Sequence, residues 1–280
     1  MKLYLYFLVL FVGFTTGFIP KILYNLASWS SVNHRIITRA GLWCSVLEFL
    51  KTNPKYVSPK RANELASVDR EILLEGQVSG RLFRLVKSSN FKRAVKEIEY
   101  ANADVDSIFK EKTKAAAHFD AEQFRESSSR LLRLKKQVIS LIKDADVNEA
   151  DCTKARKESG RLLHTLQDFY SHSNWIELGN NQPLSILGDK IIGVKDIAGP
   201  KEKTCKRCTP WTLWSRVDDC QDNLLTRKLT SGYHGGQDVK KPAGIGKCSH
   251  GGVLDKSRKS DSTGGINKDS SSRYLSPHYG

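Results

Sequence analysis

The segment RLLHTLQDFYSHSNWIELG, residues 161–179, decides how the chain is read. His164, Asp168 and His172 follow one another at intervals of four. Each step of four advances ~40° around an α-helix, so the three side chains leave one face over two turns. Leu162, Leu163, Leu166 and Phe169 supply the opposite, apolar side. Two imidazoles and a carboxylate in register are a ligand set that zinc accepts. The same pattern also suits a polar helix face whose histidines are satisfied by hydrogen bonds.

Working outward, helical periodicity extends from about residue 34 to 175. The stretch 34–50 carries Ile36, Ile37, Leu42, Val46, Leu47 and Leu50 as one broad apolar stripe. Shorter helices are expected over 61–75, 79–87 and 90–100, and long amphipathic ones over 121–143 and 148–172. No alternating strand pattern competes, so the expected fold class is mostly α. Turn residues dominate from about 180, and residues 240–280 are rich in Gly, Ser and Lys, the composition of a partly disordered tail.

Two further clusters stand upstream of the central segment. AHFDAE, residues 117–122, places His118 beside Asp120 and Glu122 at the entry to a long helix; Asp120 also suits a plain N-cap. Asp104 and Asp106 occupy a loop position just before it, and His34 stands at a helix start.

The N-terminus reads as a secretory signal peptide over residues 1–17: one lysine, a short apolar run from Leu3 to Phe14, then Thr15-Thr16-Gly17. A membrane anchor is the alternative, but a span needs ~20 apolar residues. A secreted protein without a transmembrane span is therefore expected. Residues 18–180 then form the helical bundle, and 181–280 a Cys/Gly-rich extension of the same domain. Cys205, Cys208, Cys220 and Cys248 fall in the loop-rich part and are expected to pair as two disulfides in an oxidising compartment. Cys205-Lys206-Arg207-Cys208 leaves a zinc knuckle as the rival, though a second C-x-x-C is missing. Cys44 and Cys152 lie in expected helices, as a third bridge or as two thiols.

The 280 residues hold 45 Lys+Arg against 30 Asp+Glu, a formal charge of +15. With 39% hydrophobic residues this is a globular composition, which excludes wholesale disorder and multi-span membrane architectures. The charge suits an anionic surface or ligand. Secretion and the absence of any known nucleic-acid module speak against a stable nucleic-acid partner.

NHRIITRAGL (33–42), AHFDAEQF (117–124), HTLQDFYSHSNWIELG (164–179), LTSGYHGG (229–236) and GKCSHGG (246–252), in that order, resemble the N-terminal region of the von Willebrand factor A domain-containing protein 7 family. GGINKDSSS (264–272) continues the match, and the region is related to fungal Het-C proteins. It is similar, more distantly, to the zinc-dependent phospholipase C and single-strand nuclease superfamily. That likeness implies a zinc-phospholipase-C-like helical bundle, followed here by the disulfide-stapled segment. In those enzymes a His-x-x-x-Asp on one helix holds zinc, its Asp bridging two ions. Carried over, His164 and Asp168 take those roles. His118 with Asp104 or Asp106 completes one site, and His34 serves the site shared by the bridging Asp.

The chain departs from the superfamily pattern. His172 follows Asp168 by four residues rather than six. The later His-x-x-x-Glu/Asp pair is missing, His250 and His278 standing in Gly/Ser-rich loops. Trp29, five residues before His34, has no cleavage signal to make it the amino-terminal ligand. The expected function is therefore an extracellular binding or structural module with a residual metal site at His34, Asp106, His118, His164, Asp168 and His172. The alternative is a zinc-dependent phosphodiester hydrolase.

The mature protein is expected to start near Phe18 and to be found in the medium or secretory lumen. N-terminal sequencing that finds Met1 retained on cytosolic protein would contradict this.

Overall fold

A computed structural model describes residues 33–56, 58–66, 88–107, 109–143, 148–204, 208–209, 219–220, 227–251, 255 and 265–269. The signal segment 1–17, Trp29, the expected helix 79–87, Cys205 and His278 lie outside the described residues.

The described fold is mostly helical. Helix α1 spans His34–Thr52, α2 Pro59–Ala66, α3 Ser89–Ala103, α4 Phe109–Lys112, α5 Phe124–Ile142 and α6 Glu149–His172. The starts of α1 and α6 are chemically set. Asn33 accepts from the backbone N–H groups of Arg35 and Ile36, and Asn148 from that of Asp151, each satisfying donors that have no partner within the helix. Asp120 is not an N-cap, because α5 begins only at Phe124, with Gln123 before it.

Helix α6 is the central element, packed between α3 and α5, with α1 laid across α3. Gly160 lets α6 approach α3 closely: a Cβ there would lie 2.5 Å from the Ile98 carbonyl oxygen and 2.8 Å from the Asn102 nitrogen. On its apolar side Phe169 is fully buried, with Phe119, Phe124, Leu131, Ile192 and Leu229 around it and Leu162 and Leu166 packed against the cluster. The Phe169 and Phe119 rings meet edge to face, centroids 5.2 Å apart, a favoured aromatic arrangement.

Beyond α6 the chain is mostly loops, and they are part of the packed body. Ser173 bridges Ser231, and Tyr233 bridges Ser249. Lys247 is fully buried, its ammonium 2.7 Å from Glu122 Oε2 and donating to the Gly199 carbonyl at 2.7 Å. Lys268 meets Glu177 at 2.7 Å and donates to the carbonyls of Ser173 and Ile266. Each buried charge is paired and hydrogen-bonded, the condition under which burial is tolerable. The Gly/Ser/Lys-rich stretch after 240 is thus not a loose tail where it is described: Lys247, Ser249 and Asn267 have no exposed surface.

The cysteines differ in part from expectation. Cys44 and Cys152 are half-buried thiols, not a third bridge. Cys248 Sγ donates to the Thr204 carbonyl at 3.0 Å, so no disulfide is formed among the described side chains. Two-residue strands β1 (Cys208–Thr209) and β2 (Asp219–Cys220) pair antiparallel with Cys208 opposite Cys220.

Glu111 ties α4 to the two long helices. It pairs with Arg130 on α5 and, at 2.7 Å, with Arg161 on α6. Burial alone would raise its pKa, but Arg161 and Arg130 outweigh it and hold the carboxyl down to about 2. A depressed acid contributes stability above its unfolded pKa and loses it as pH falls toward the folded value. Glu111→Gln should therefore destabilise the protein by ~1 kcal/mol at neutral pH, given partial solvent screening. Thermal melts should show that gap closing between about pH 4.5 and 2. A gap that is constant with pH would contradict the assigned pairing.

Candidate metal centre

Four segments meet at Asp168, which has no exposed surface. Helix α6 brings His164 and Asp168 from one face. The start of α1 brings His34, and the 3-10 turn 104–106 after α3 brings Asp106. His118 arrives from the turn before α5. That turn is strained: Phe119, Ala121 and Glu122 have φ of 53°, 52° and 59°, in the left-handed region that side chains other than glycine rarely adopt. Such outliers persist where surrounding contacts over-determine them, and they cluster at functional sites. Here Phe119 is buried in the apolar core, while His118 and Asp120 turn to polar partners.

The distances are short and mutual. Asp168 Oδ2 lies 2.9 Å from His118 Nδ1 and 3.0 Å from His164 Nε2, and Oδ1 lies 3.2 Å from His34 Nε2. His164 Nε2 and His118 Nδ1 are 3.1 Å apart. Asp106 Oδ1 stands 3.4 Å from His164 Nε2 and 3.8 Å from His118 Nδ1. Ligand atoms at the zinc bond length of about 2.0–2.1 Å stand ~3.3 Å apart around a tetrahedral ion. The observed separations bracket that edge. Asp104, the alternative to Asp106, is exposed outside the cluster.

Hydrogen bonds fix which ring nitrogens face inward. His34 Nδ1 meets Gln167 Oε1 at 2.6 Å, and His164 Nδ1 meets Asn102 Oδ1 at 3.2 Å. Amide oxygens only accept, so each Nδ1 carries the proton and each Nε2 presents a lone pair. Asn102 and Gln167 are themselves held by Thr38, at 2.7 and 3.0 Å. This is the outer-shell arrangement that orients metal-ligating histidines.

His172 does not join this cluster. It heads a second one, with Asp120, His250 and Asp269. Its Nδ1 donates to the His118 carbonyl at 2.9 Å and lies 3.2 Å from Asp120 Oδ1. Its Nε2 faces Asp269 Oδ1 at 3.1 Å and His250 Nε2 at 3.2 Å. His250 Nδ1 is tied to the Gly251 carbonyl at 3.0 Å, so its Nε2 also faces inward. Gly232 makes room for this loop: a Cβ there would sit 2.4 Å from His250 Cα. His234 packs beside His250 with ring centroids 5.0 Å apart, and Asp255 accepts from the backbone of Gly235 and Gly251.

Electrostatics follow from burial and crowding. Burial lowers His164 to about 3, more than the neighbouring carboxylates can offset, so its ring is neutral. Burial, then Asp168 and Asp269, pushes Asp106 well above the carboxylate range. Burial opposes ionisation of Asp168, but His164, His172 and His34 hold it well below that range. For His172 burial is outweighed by Asp269, Asp168 and Asp120, and the imidazole is held well above its usual range. Asp106 Oδ1, Asp120 Oδ1 and Asp168 Oδ1 are buried and accept no hydrogen bond. Lone pairs facing one another at such distances repel unless a proton or a cation lies between them.

His34, Asp106, His118, His164 and Asp168 are thus brought together, and His172 is placed next to them. Sequence reasoning missed Asp120, His250 and Asp269 as neighbours of His172, and Asn102 and Gln167 as supports. The signal for His250 was its Gly-flanked position, GKCSHGG, which allows close backbone approach.

A helical body that buries a double histidine–carboxylate cluster defines a helical module with a candidate metal centre. The VWA7 N-terminal domain model matches residues 71–280. The chain is 35% identical over 268 residues to human von Willebrand factor A domain-containing protein 7, covering 95% of this chain and 28% of the relative. The rat protein of that name is 34% identical over 267 residues, with the same coverage. The chain belongs to this family. It spans little more than a quarter of the length of these relatives. No solved structure matches it.

The geometry predicts ring tautomers directly. Long-range proton–nitrogen NMR of the metal-free protein at neutral pH should show His164 as a neutral ring protonated at Nδ1, and a proton on Nδ1 of His34. Protonation of His164 at Nε2, or a His34 ring without a proton on Nδ1, would contradict the assigned tautomers.

Proposed function

We propose that this module binds zinc at the Asp168 centre and acts as an extracellular binding or structural domain built around that ion. One observation carries the reading. His34 and His164 have their Nδ1 protons tied to amide oxygens, which turns both Nε2 lone pairs toward a buried carboxylate 3.2 and 3.0 Å away. Mixed nitrogen and carboxylate-oxygen donors at near-tetrahedral separations suit zinc better than the all-oxygen shells of magnesium or calcium. Burial favours a structural role: no residue of either cluster, from His34 to Asp269, is more than 5% exposed, whereas catalytic zinc keeps an open position. The basic excess of the chain suits an anionic ligand.

Phosphodiester hydrolysis is the second reading, and a specific observation favours it. Asp168 turns Oδ1 to His34 and Oδ2 to His118 and His164, the disposition of a carboxylate shared by two ions. The resemblance of the His164–Asp168 segment to the zinc phospholipase C and nuclease superfamily would imply the same role. A zinc ion there would supply Lewis acidity toward a phosphoryl oxygen. The protein's part would be to hold the ions through His34, Asp106, His118, His164 and Asp168, with His172, Asp120, His250 and Asp269 holding a neighbouring one.

Protein purified without chelators should contain at least one equivalent of zinc by elemental analysis. Asp168→Asn should lose it, whereas Glu177→Gln, which disturbs the ion pair with Lys268 outside both clusters, should keep it. Metal-free wild-type protein, or equal zinc content in both variants, would contradict the proposal. Zinc-dependent hydrolysis of a phosphodiester by the wild type alone would decide for the second reading.

A further inference from the structure

Outside the metal centre, one surface combines exposed apolar side chains with clustered cations. Helix α5 and the segment after Asp189 enclose an open groove of about 520 Å³, lined by Leu132, Arg133, Lys136 and Ile191 together with Ser129, Gln137 and Ser140. The lining holds two cations and no carboxylate. Ile191 is exposed, while its neighbour Ile192 is buried in the core and held by a hydrogen bond from its N–H to Ser128 Oγ at 3.4 Å. Lys135 pairs with Asp189 and fixes the segment to α5.

Ile139 falls seven residues after Leu132 and so extends the same stripe of α5. Among the described residues, Ile139, Ile191 and Val194 are 48%, 43% and 59% exposed. Lys190 and Lys195 are exposed beside the last two. Isolated exposed apolar residues need no explanation, but a group of them flanked by Arg133, Lys136, Lys190 and Lys195, with Asp189 and Asp196 as exposed carboxylates of the same segment, does.

We propose that this face is a docking surface for anionic phospholipid membranes. Ile139 and Ile191 enter the boundary between headgroups and acyl chains, while Arg133, Lys136 and Lys190 contact lipid phosphates. The chemistry separates this occupant from others. A sulfated polysaccharide or nucleic acid would engage the cations but gain nothing from the isoleucines. A second copy of the chain would set like charges against one another. No helix among the described residues is long and apolar enough to cross a membrane, so the contact is interfacial. The surface shares no residue with the metal centre, and either assignment can fail alone.

The test is co-sedimentation of the full chain with vesicles of phosphatidylcholine alone or mixed with phosphatidylserine. Binding is expected only to the mixed vesicles. Each cation near an anionic surface contributes roughly fivefold in affinity. Arg133→Glu/Lys136→Glu should therefore weaken vesicle binding at least tenfold and weaken heparin binding too. Ile139→Ser/Ile191→Ser should weaken vesicle binding at least tenfold while leaving heparin binding unchanged. Far-UV circular dichroism would establish that both variants fold. Absence of vesicle binding by the wild type would overturn the proposal. So would an isoleucine variant that binds vesicles like the wild type, or a wild-type dimer that dissociates in that variant.

Discussion

The carboxylate of Asp168 is the constraint on which the arrangement depends. It is ionised, has no exposed surface and lies at the centre of the helical body. A buried anion must be met by positive charge or by hydrogen-bond donors, or it will not stay ionised. His118 turns its Nδ1 to it, but His34 and His164 meet it with rings whose Nδ1 protons are directed elsewhere. The fold is arranged around that conflict. Helix α6 is held tightly to α3 through Gly160, and this closeness puts Asn102 within reach of His164 and Gln167. A larger residue at 160 would move the outer shell and the ligands together.

The second cluster links the helical half of the chain to its loop-rich half. His172 is the last residue of α6 and Asp120 lies before α5, whereas His250 and Asp269 come from loops beyond residue 240. Its four groups, the Lys247–Glu122 pair and the Lys268–Glu177 pair are the polar fasteners that bring these loops against the helices. Segments with few apolar residues cannot be held by hydrophobic burial alone, so polar contacts of this kind carry more of the docking.

Much of this was legible in the sequence. The apolar periodicity gave α1, α3, α5 and α6 to within a few residues, because each buries one stripe against its neighbours. The spacing of four put His164, Asp168 and His172 on one face. It did not show that two turns of helix would divide them between adjacent clusters, since that depends on what faces each turn. The choice between Asp104 and Asp106 is also a tertiary matter: both stand in the same 3-10 turn, and only Asp106 points inward. His250 and Asp269 carry no periodic signal because loops have none. Asn102 and Gln167 looked like ordinary polar helix residues. The cysteine spacing supported several pairings, and it could not show Cys44 and Cys152 as separate thiols.

X-ray absorption at the zinc edge tests the central claim most directly. The three imidazoles and the Asp106 carboxylate gathered at Asp168 predict a first shell of nitrogen and oxygen at about 2.0–2.1 Å, with the outer scattering of imidazole rings and no sulfur. A sulfur shell at about 2.3 Å would place the metal on the cysteines, and the absence of imidazole scattering would remove it from the histidine cluster. Either result would contradict the account.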